Sequence, residues 1–254
     1  MVNLIDLSNK SIVVAGASSG IGKRTAIVLS KVGAKLLLIA RREDKLIETM
    51  SELEGRNHSY YLGDLSQTDN IESLVKTMIA ENGPVDGLVY SAGIARITPF
   101  ALSKPDKVEK FFQVNFFGFM ELTRQLVKKN HCNPGMSIVG ISSSASLMGD
   151  RGQSIYAATK AAMNGAMRCM AHELGERRIR INTIAPGMTA TEMYEGFIKE
   201  KGVIRSSNQD LLKRQYLGIV STDAVAHAVA FLLSESSKYI TGVILPVDSG
   251  MTSC

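Results

Sequence analysis

The chain has 254 residues, 45% of them hydrophobic and 21% charged, with a formal net charge of +5, which describes an ordinary, mildly basic globular protein. The basic residues are scattered in groups no larger than Arg41-Arg42, Lys128-Lys129 and Arg177-Arg178, and there is no tryptophan, so a nucleic-acid-binding stripe is excluded. No apolar run reaches membrane-spanning length, the N-terminal Met1-Val-Asn-Leu-Ile-Asp lacks a basic-then-apolar form, and Cys132, Cys169 and Cys254 have neither disulfide nor zinc spacing. The expectation is a cytoplasmic protein acting on a small acidic or phosphorylated ligand, with no metal, nucleic acid or membrane involved.

Taken in order, Ser11–Ala15 is a short β-branched run that predicts a buried strand, and Lys23–Val32 predicts a helix. Between them lies a glycine turn in which Gly16, Gly20 and Gly22 are spaced Gly-x-x-x-Gly-x-Gly, the strand–turn–helix context of a dinucleotide fingerprint. Glycines there let the backbone approach a pyrophosphate, while helix N–H groups and the dipole face its charge. Lys35–Ala40 predicts the second strand and runs into Arg41 and Arg42. An acid at this place would bind a ribose 2′-hydroxyl and an arginine accommodates a 2′-phosphate, so NADP(H) is inferred over NAD(H).

A helix over Arg42–Leu53 gives way to a third strand, Ser59–Leu62, followed by Asp64, which either accepts from an adenine amine or caps a helix beginning near Asp69. Gly87–Ser91 predicts a fourth strand ending in the small residues Ala92 and Gly93. Lys104–Lys129 reads as one long helix that places Asn115 amid apolar residues, either as a satisfied structural amide or as part of a water relay. Met136–Ser142 predicts a fifth strand delivering Ser142, Ser143 and Ser144.

Tyr156–Gly175 predicts a helix rich in small residues, with Tyr156 and Lys160 one turn apart on one face. A lysine ammonium beside a tyrosine favours the phenolate and lowers a pKa otherwise near 10, making the tyrosine a usable acid or base. Arg180–Ala185 predicts a sixth strand running into Pro186-Gly187, and residues 188–218 read as a substrate lid of helical pieces. Thr222–Leu233 predicts a helix and Val243–Val247 the last strand. The alternation predicts an α/β, Rossmann-type doubly wound parallel sheet of about seven strands in a single domain, 1–254, with ligands beyond the strands' carboxyl ends.

The motifs together resemble the classical short-chain dehydrogenases/reductases along essentially the whole chain. The carriers are Gly16-Ala-Ser-Ser-Gly20-Ile-Gly22, Asp64, Ser91-Ala92-Gly93, Asn115, Ser143, Tyr156-Ala-Ala-Thr-Lys160, Asn182-x-x-x-Pro186-Gly187 and Thr191. The resemblance implies that Tyr156 is the general acid/base, Lys160 its pKa-lowering neighbour and a ribose ligand, Ser143 the hydrogen-bond partner of the substrate oxygen, and Asn115 the holder of a relay water. It also implies a cofactor held by Gly16, Ser18, Ser19, Gly20, Ile21, Gly22, Arg41, Arg42, Asp64, Leu65, Ala92, Gly93, Tyr156, Lys160, Pro186, Gly187 and Thr191. Ser91 stands where the family usually has Asn, and Ser19 where many NADP-preferring members have a Lys or Arg.

The function implied is an NADPH-dependent carbonyl reductase, reversible as an alcohol dehydrogenase. It is nearest in look to bacterial 3-oxoacyl-acyl-carrier-protein reductases, with an acyl carrier protein as the expected partner and a homodimer or homotetramer as the expected assembly. Sugar, steroid and other secondary-alcohol dehydrogenases share the same motifs. A catalytically silent NADP-binding regulator is the alternative from another class, and would normally have lost a member of the Asn-Ser-Tyr-Lys set.

Overall fold

A computed structural model describes residues 5–194 and 212–253. Seven parallel strands form one sheet in the order β3-β2-β1-β4-β5-β6-β7. They are β1 (Ser11–Ala15), β2 (Lys35–Ala40), β3 (Ser59–Leu62), β4 (Val85–Tyr90), β5 (Cys132–Ile141), β6 (Arg180–Pro186) and β7 (Ile244–Val247). The helices between them are α1 (Gly20–Lys31), α2 (Glu43–Ser51), α3 (Ile71–Asn82), α4 (Pro105–Phe112), α5 (Gly118–Leu126), α6 (Ser154–Gly175) and α7 (Thr222–Leu233). The fold is the single Rossmann-type domain expected. Most of the expected lid, 195–211, lies outside the described residues.

The inner strands are apolar on both sides because both faces of the sheet are covered. Side chains alternate across a strand, so Ile12, Val14, Leu36, Leu38, Val89 and Val139 point to one face, where α1 and α7 pack with Leu29, Val229 and Leu232. Val13, Ala15, Leu37, Ile39, Leu88 and Ile138 point to the other, against Val75 of α3, Leu122 of α5 and Met163 of α6.

The long helix expected over Lys104–Lys129 is observed in two α segments separated by a π turn, Gln113–Phe117. A cause lies at its closest approach to the sheet. A Cβ on Gly118 would strike the carbonyl oxygen of Leu65 and come within 2.5 Å of the Tyr90 hydroxyl, so the helix lies directly on the ends of β3 and β4. The buried Tyr90 hydroxyl donates to the carbonyl of Val114 inside the π turn at 2.5 Å. The extra residue in that turn rotates Asn115 into the protein, where it is fully buried. Tyr90→Phe removes this hydrogen bond and should lower stability by about 1 kcal/mol in urea unfolding.

Candidate active site

The turn after β1 is shaped by what a side chain there would hit. Gly16 has φ +82°, and a Cβ on it would lie 2.6 Å from the backbone nitrogen of Ala92 at the end of β4. Gly22 lies in the first turn of α1, and a Cβ there would strike the carbonyl oxygen of Gly16. Helix α1 therefore begins at the carboxyl edge of the sheet. Its N-cap, Ser19, makes no side-chain cap hydrogen bond, and its first turn holds no acidic residue. The leading amides and the positive end of the dipole are left for an anion, which fits a pyrophosphate.

A cleft of about 530 Å³ opens along this edge. Every residue expected in the site lines it except Gly22 and Asn115. Gly22 instead closes the turn from behind, as its contact with Gly16 requires. The base of the loop after β6 forms the far wall. There the methyl group of Thr191 lies 3.5 Å from where a Cβ of Gly20 would be, and Met188 is pinned by the buried Gln215, whose Oε1 accepts from Met188 N–H at 2.8 Å.

At the end of β2, Arg41 Nη1 lies 3.9 Å from Asp64 Oδ2, and Arg42 Nη2 donates to Ser18 Oγ at 3.5 Å. Both guanidinium groups are exposed on the cleft. Oδ1 of Asp64 accepts from the Ser66 amide at 3.0 Å and from its hydroxyl at 2.8 Å, folding the turn just after β3. Asp64 thus caps its own turn and not a helix near Asp69, and its other oxygen faces Arg41.

Tyr156 and Lys160 stand one turn apart near the start of α6, facing the carboxyl end of β5. The buried Lys160 ammonium donates to the Ile141 carbonyl at 2.7 Å and lies 5.8 Å from the centre of the Tyr156 ring. Burial pulls Lys160 down to about 8. Burial also pushes the Tyr156 phenol above its ordinary value, and the Ser143 hydroxyl partly offsets that shift. The expected lowering of the Tyr156 pKa by Lys160 is corrected: desolvation dominates at the tyrosine and raises it, as it also pulls the lysine down. A phenol held protonated beside a cleft is a proton donor.

Ser143 is extended at φ −166° and lines the cleft, its Oγ accepting from the Ala145 amide at 3.2 Å. Its main chain is held by a buried chain of donors. Thr183 Oγ1 donates to Asn164 Oδ1 (2.9 Å), Asn164 Nδ2 to Ser146 Oγ (2.8 Å), and Ser146 Oγ to the Ser143 carbonyl (2.6 Å). Ser142 turns inward toward Ser146, at 3.2 Å.

Asn115 accepts from Ile94 N–H at 2.8 Å and donates to the Ile94 carbonyl and to Thr159 Oγ1, both at 3.0 Å. Thr159 in turn donates to the Tyr156 carbonyl at 2.8 Å. Both amide hydrogens are engaged within the protein, which is the satisfied-amide alternative. The sequence reading did not single out Ile94, Arg96, Ile97 and Met251 for the cleft. They come from the loop after β4 and the segment after β7 and carry no local motif.

The lysine offers a test independent of turnover. Between pH 8 and 10.5 the unfolded Lys160 holds a proton that the folded one has released, so stability rises with pH across that window. In chemical denaturation at stepped pH, wild type minus Lys160→Met should show this rise, with no slope below about 8.

The family model described as Enoyl-(Acyl carrier protein) reductase matches residues 16–252. L-xylulose reductase of Caenorhabditis elegans is 34% identical over 98% of this chain and 98% of its own length. The 3-oxoacyl-[acyl-carrier-protein] reductase of Thermotoga maritima is 32% identical over 96% of this chain and 98% of its own. Among solved structures, a short-chain type dehydrogenase/reductase from Mycobacterium ulcerans superposes with a TM-score of 0.89 at 27% identity, over 98% of this chain and 92% of that one. The chain therefore belongs to the short-chain dehydrogenase/reductase family and is an NAD(P)-dependent oxidoreductase acting on CH–OH groups.

Proposed function

We propose that the protein is an NADPH-dependent reductase that converts a ketone to a secondary alcohol, reversibly, with a 3-oxoacyl thioester as the favoured substrate. The observation that carries this reading is the meeting of the Ser143 and Tyr156 hydroxyls in one cleft with the uncapped start of α1. The bound nicotinamide cofactor supplies the hydride. Ser18, Ser19, Gly20 and Ile21 would hold its pyrophosphate, Arg41 and Arg42 its 2′-phosphate, and Asp64 and Leu65 its adenine, with Ala92 and Gly93 as further contacts. Pro186, Gly187 and Thr191 would hold the nicotinamide end, and Lys160 a ribose.

In the reaction Tyr156 gives its phenolic proton to the carbonyl oxygen, and the Ser143 hydroxyl hydrogen-bonds that oxygen as charge develops on it. The Lys160 ammonium, a turn below, steadies the phenolate left behind. Asn115 contributes by clamping Ile94 and, through Thr159, the backbone of Tyr156. The one-turn Tyr–Lys spacing favours ketone over enoyl reduction. A 3-oxoacyl thioester delivered by an acyl carrier protein fits the resemblance to the Thermotoga maritima reductase. The exposed stripe of Ala158, Ala161, Gly165 and Cys169 on α6 suits close packing in a homodimer or homotetramer. The compartment is cytoplasmic.

The test follows NADPH and NADH absorbance with a β-ketoacyl thioester, a diketone, a keto-sugar and a ketosteroid; no oxidation of either cofactor by any of them would remove the reading. Tyr156→Phe should lower kcat by about 10²–10⁴-fold with the Kd for NADPH nearly unchanged. Arg41→Ala with Arg42→Ala should raise the KM for NADPH about tenfold or more and leave that for NADH unaltered.

A further inference from the structure

Three arginines line the cleft, and the reading above, on which this inference rests, absorbs only Arg41 and Arg42. Arg41 and Arg42 belong to the end of β2. Arg96 lies on the loop between β4 and α4, exposed on the wall that follows Gly93.

Its position is set by contacts on either side. Two residues before it, Ile94 is clamped by Asn115 through both peptide groups. Two residues after it, Thr98 N–H donates to the Gly152 carbonyl at 2.9 Å. Between these points Ile97 sits so close to Gly152 that a Cβ there would come within 2.5 Å of its Cγ2. Gly152 lies just ahead of α6, four residues before Tyr156. The Arg96 loop is therefore tied to the segment that delivers the proton donor.

The cleft's carboxylates are engaged elsewhere among the described residues. Asp64 faces Arg41, Asp150 accepts from Gln153 Nε2 at 3.0 Å, and Glu192 interacts electrostatically with Lys45 of α2. Arg96 makes no ion pair or hydrogen bond with a described residue through its side chain. Ile94, Ile97, Ala145 and Met148 supply apolar lining to the same cleft, beside Asp150 and Gln153.

A guanidinium at the rim of an apolar cleft is suited to an oxyanion, which it can hold through two parallel hydrogen bonds. We infer that Arg96 anchors an anionic group, phosphate or carboxylate, at the far end of a carbonyl substrate whose middle is apolar. A ketone so recognised presents its carbonyl to Tyr156 and Ser143, its apolar part to Ile94 and Met148, and its charge to Arg96. A polyhydroxy ketose matches neither the apolar walls nor the cation.

The test compares wild type with Arg96→Gln on three substrates read by NADPH oxidation. They are acetoacetyl-coenzyme A, the neutral acetoacetyl thioester of N-acetylcysteamine, and 4-oxopentanoate. The first two share the reacting group and differ in the phosphates, while the third carries a carboxylate. The KM for the preferred anionic substrate should rise about tenfold with kcat unchanged, and that for the neutral thioester should not move. The wild-type KM for the same anion should rise with added salt, and the variant's should not. Which anion loses more identifies phosphate or carboxylate as the group held. Equal changes for charged and neutral substrates, no change at all, or a wild-type preference for the neutral thioester or a ketose overturns the role of Arg96 and leaves the reductase reading standing. Absence of NADPH oxidation with every carbonyl tried removes both. Arg96 is exposed, and an unchanged Tm for the variant confirms that a KM effect is local.

Discussion

Strands β1 and β4 are neighbours in the sheet, and their chains leave its carboxyl edge in different directions. The backbones meet where they part, with Gly16 so close to Ala92 that a Cβ would sit 2.6 Å from its nitrogen. That contact decides most of what lies above it. On one side it lets the chain turn back at once into α1, whose uncapped start is left facing the cleft. On the other it sends Ala92, Gly93 and the Arg96 loop along the cleft wall. Parallel α/β sheets place their ligand sites at such a reversal of strand order because the crevice there is open.

The Ser143 and Tyr156 hydroxyls are held by hydrogen bonds that reach them through the main chain. Ser143 is fixed at its carbonyl by a donor chain that starts on β6, crosses α6 and ends in the serine loop. Tyr156 is fixed at its carbonyl by Thr159, which is itself held by Asn115. In both cases the side-chain hydroxyl stays on the cleft while the backbone is rigid. Buried networks of this kind specify one arrangement when every member is satisfied. The π turn contributes to the second by rotating Asn115 inward from a helix that otherwise runs past the site.

Electrostatically the cleft joins exposed cations to desolvated groups. Arg41, Arg42 and Arg96 are exposed on it, whereas burial disfavours the charged forms of both Lys160 and Tyr156. A neutral phenol and a lysine poised near 8 suit proton donation to a carbonyl oxygen.

The sequence by itself determined the fold class, nearly every strand and the gathering of the candidate site residues at the sheet's carboxyl edge. Those depend on local signals: β-branched runs such as Ser11–Ala15, glycines at a fixed spacing, and Tyr156 one turn from Lys160. Only the tertiary structure decided the π turn, the inward rotation of Asn115 and the direction of the Lys160 and Tyr156 shifts. Each depends on a contact between segments distant in the chain, as Gly118 with Leu65 or Lys160 with Ile141. Desolvation likewise depends on what packs around a group and not on which residues precede it. The apolar and charged walls of the cleft, drawn from loops after β4, β5 and β6, became legible only when the sheet brought those loops to one edge.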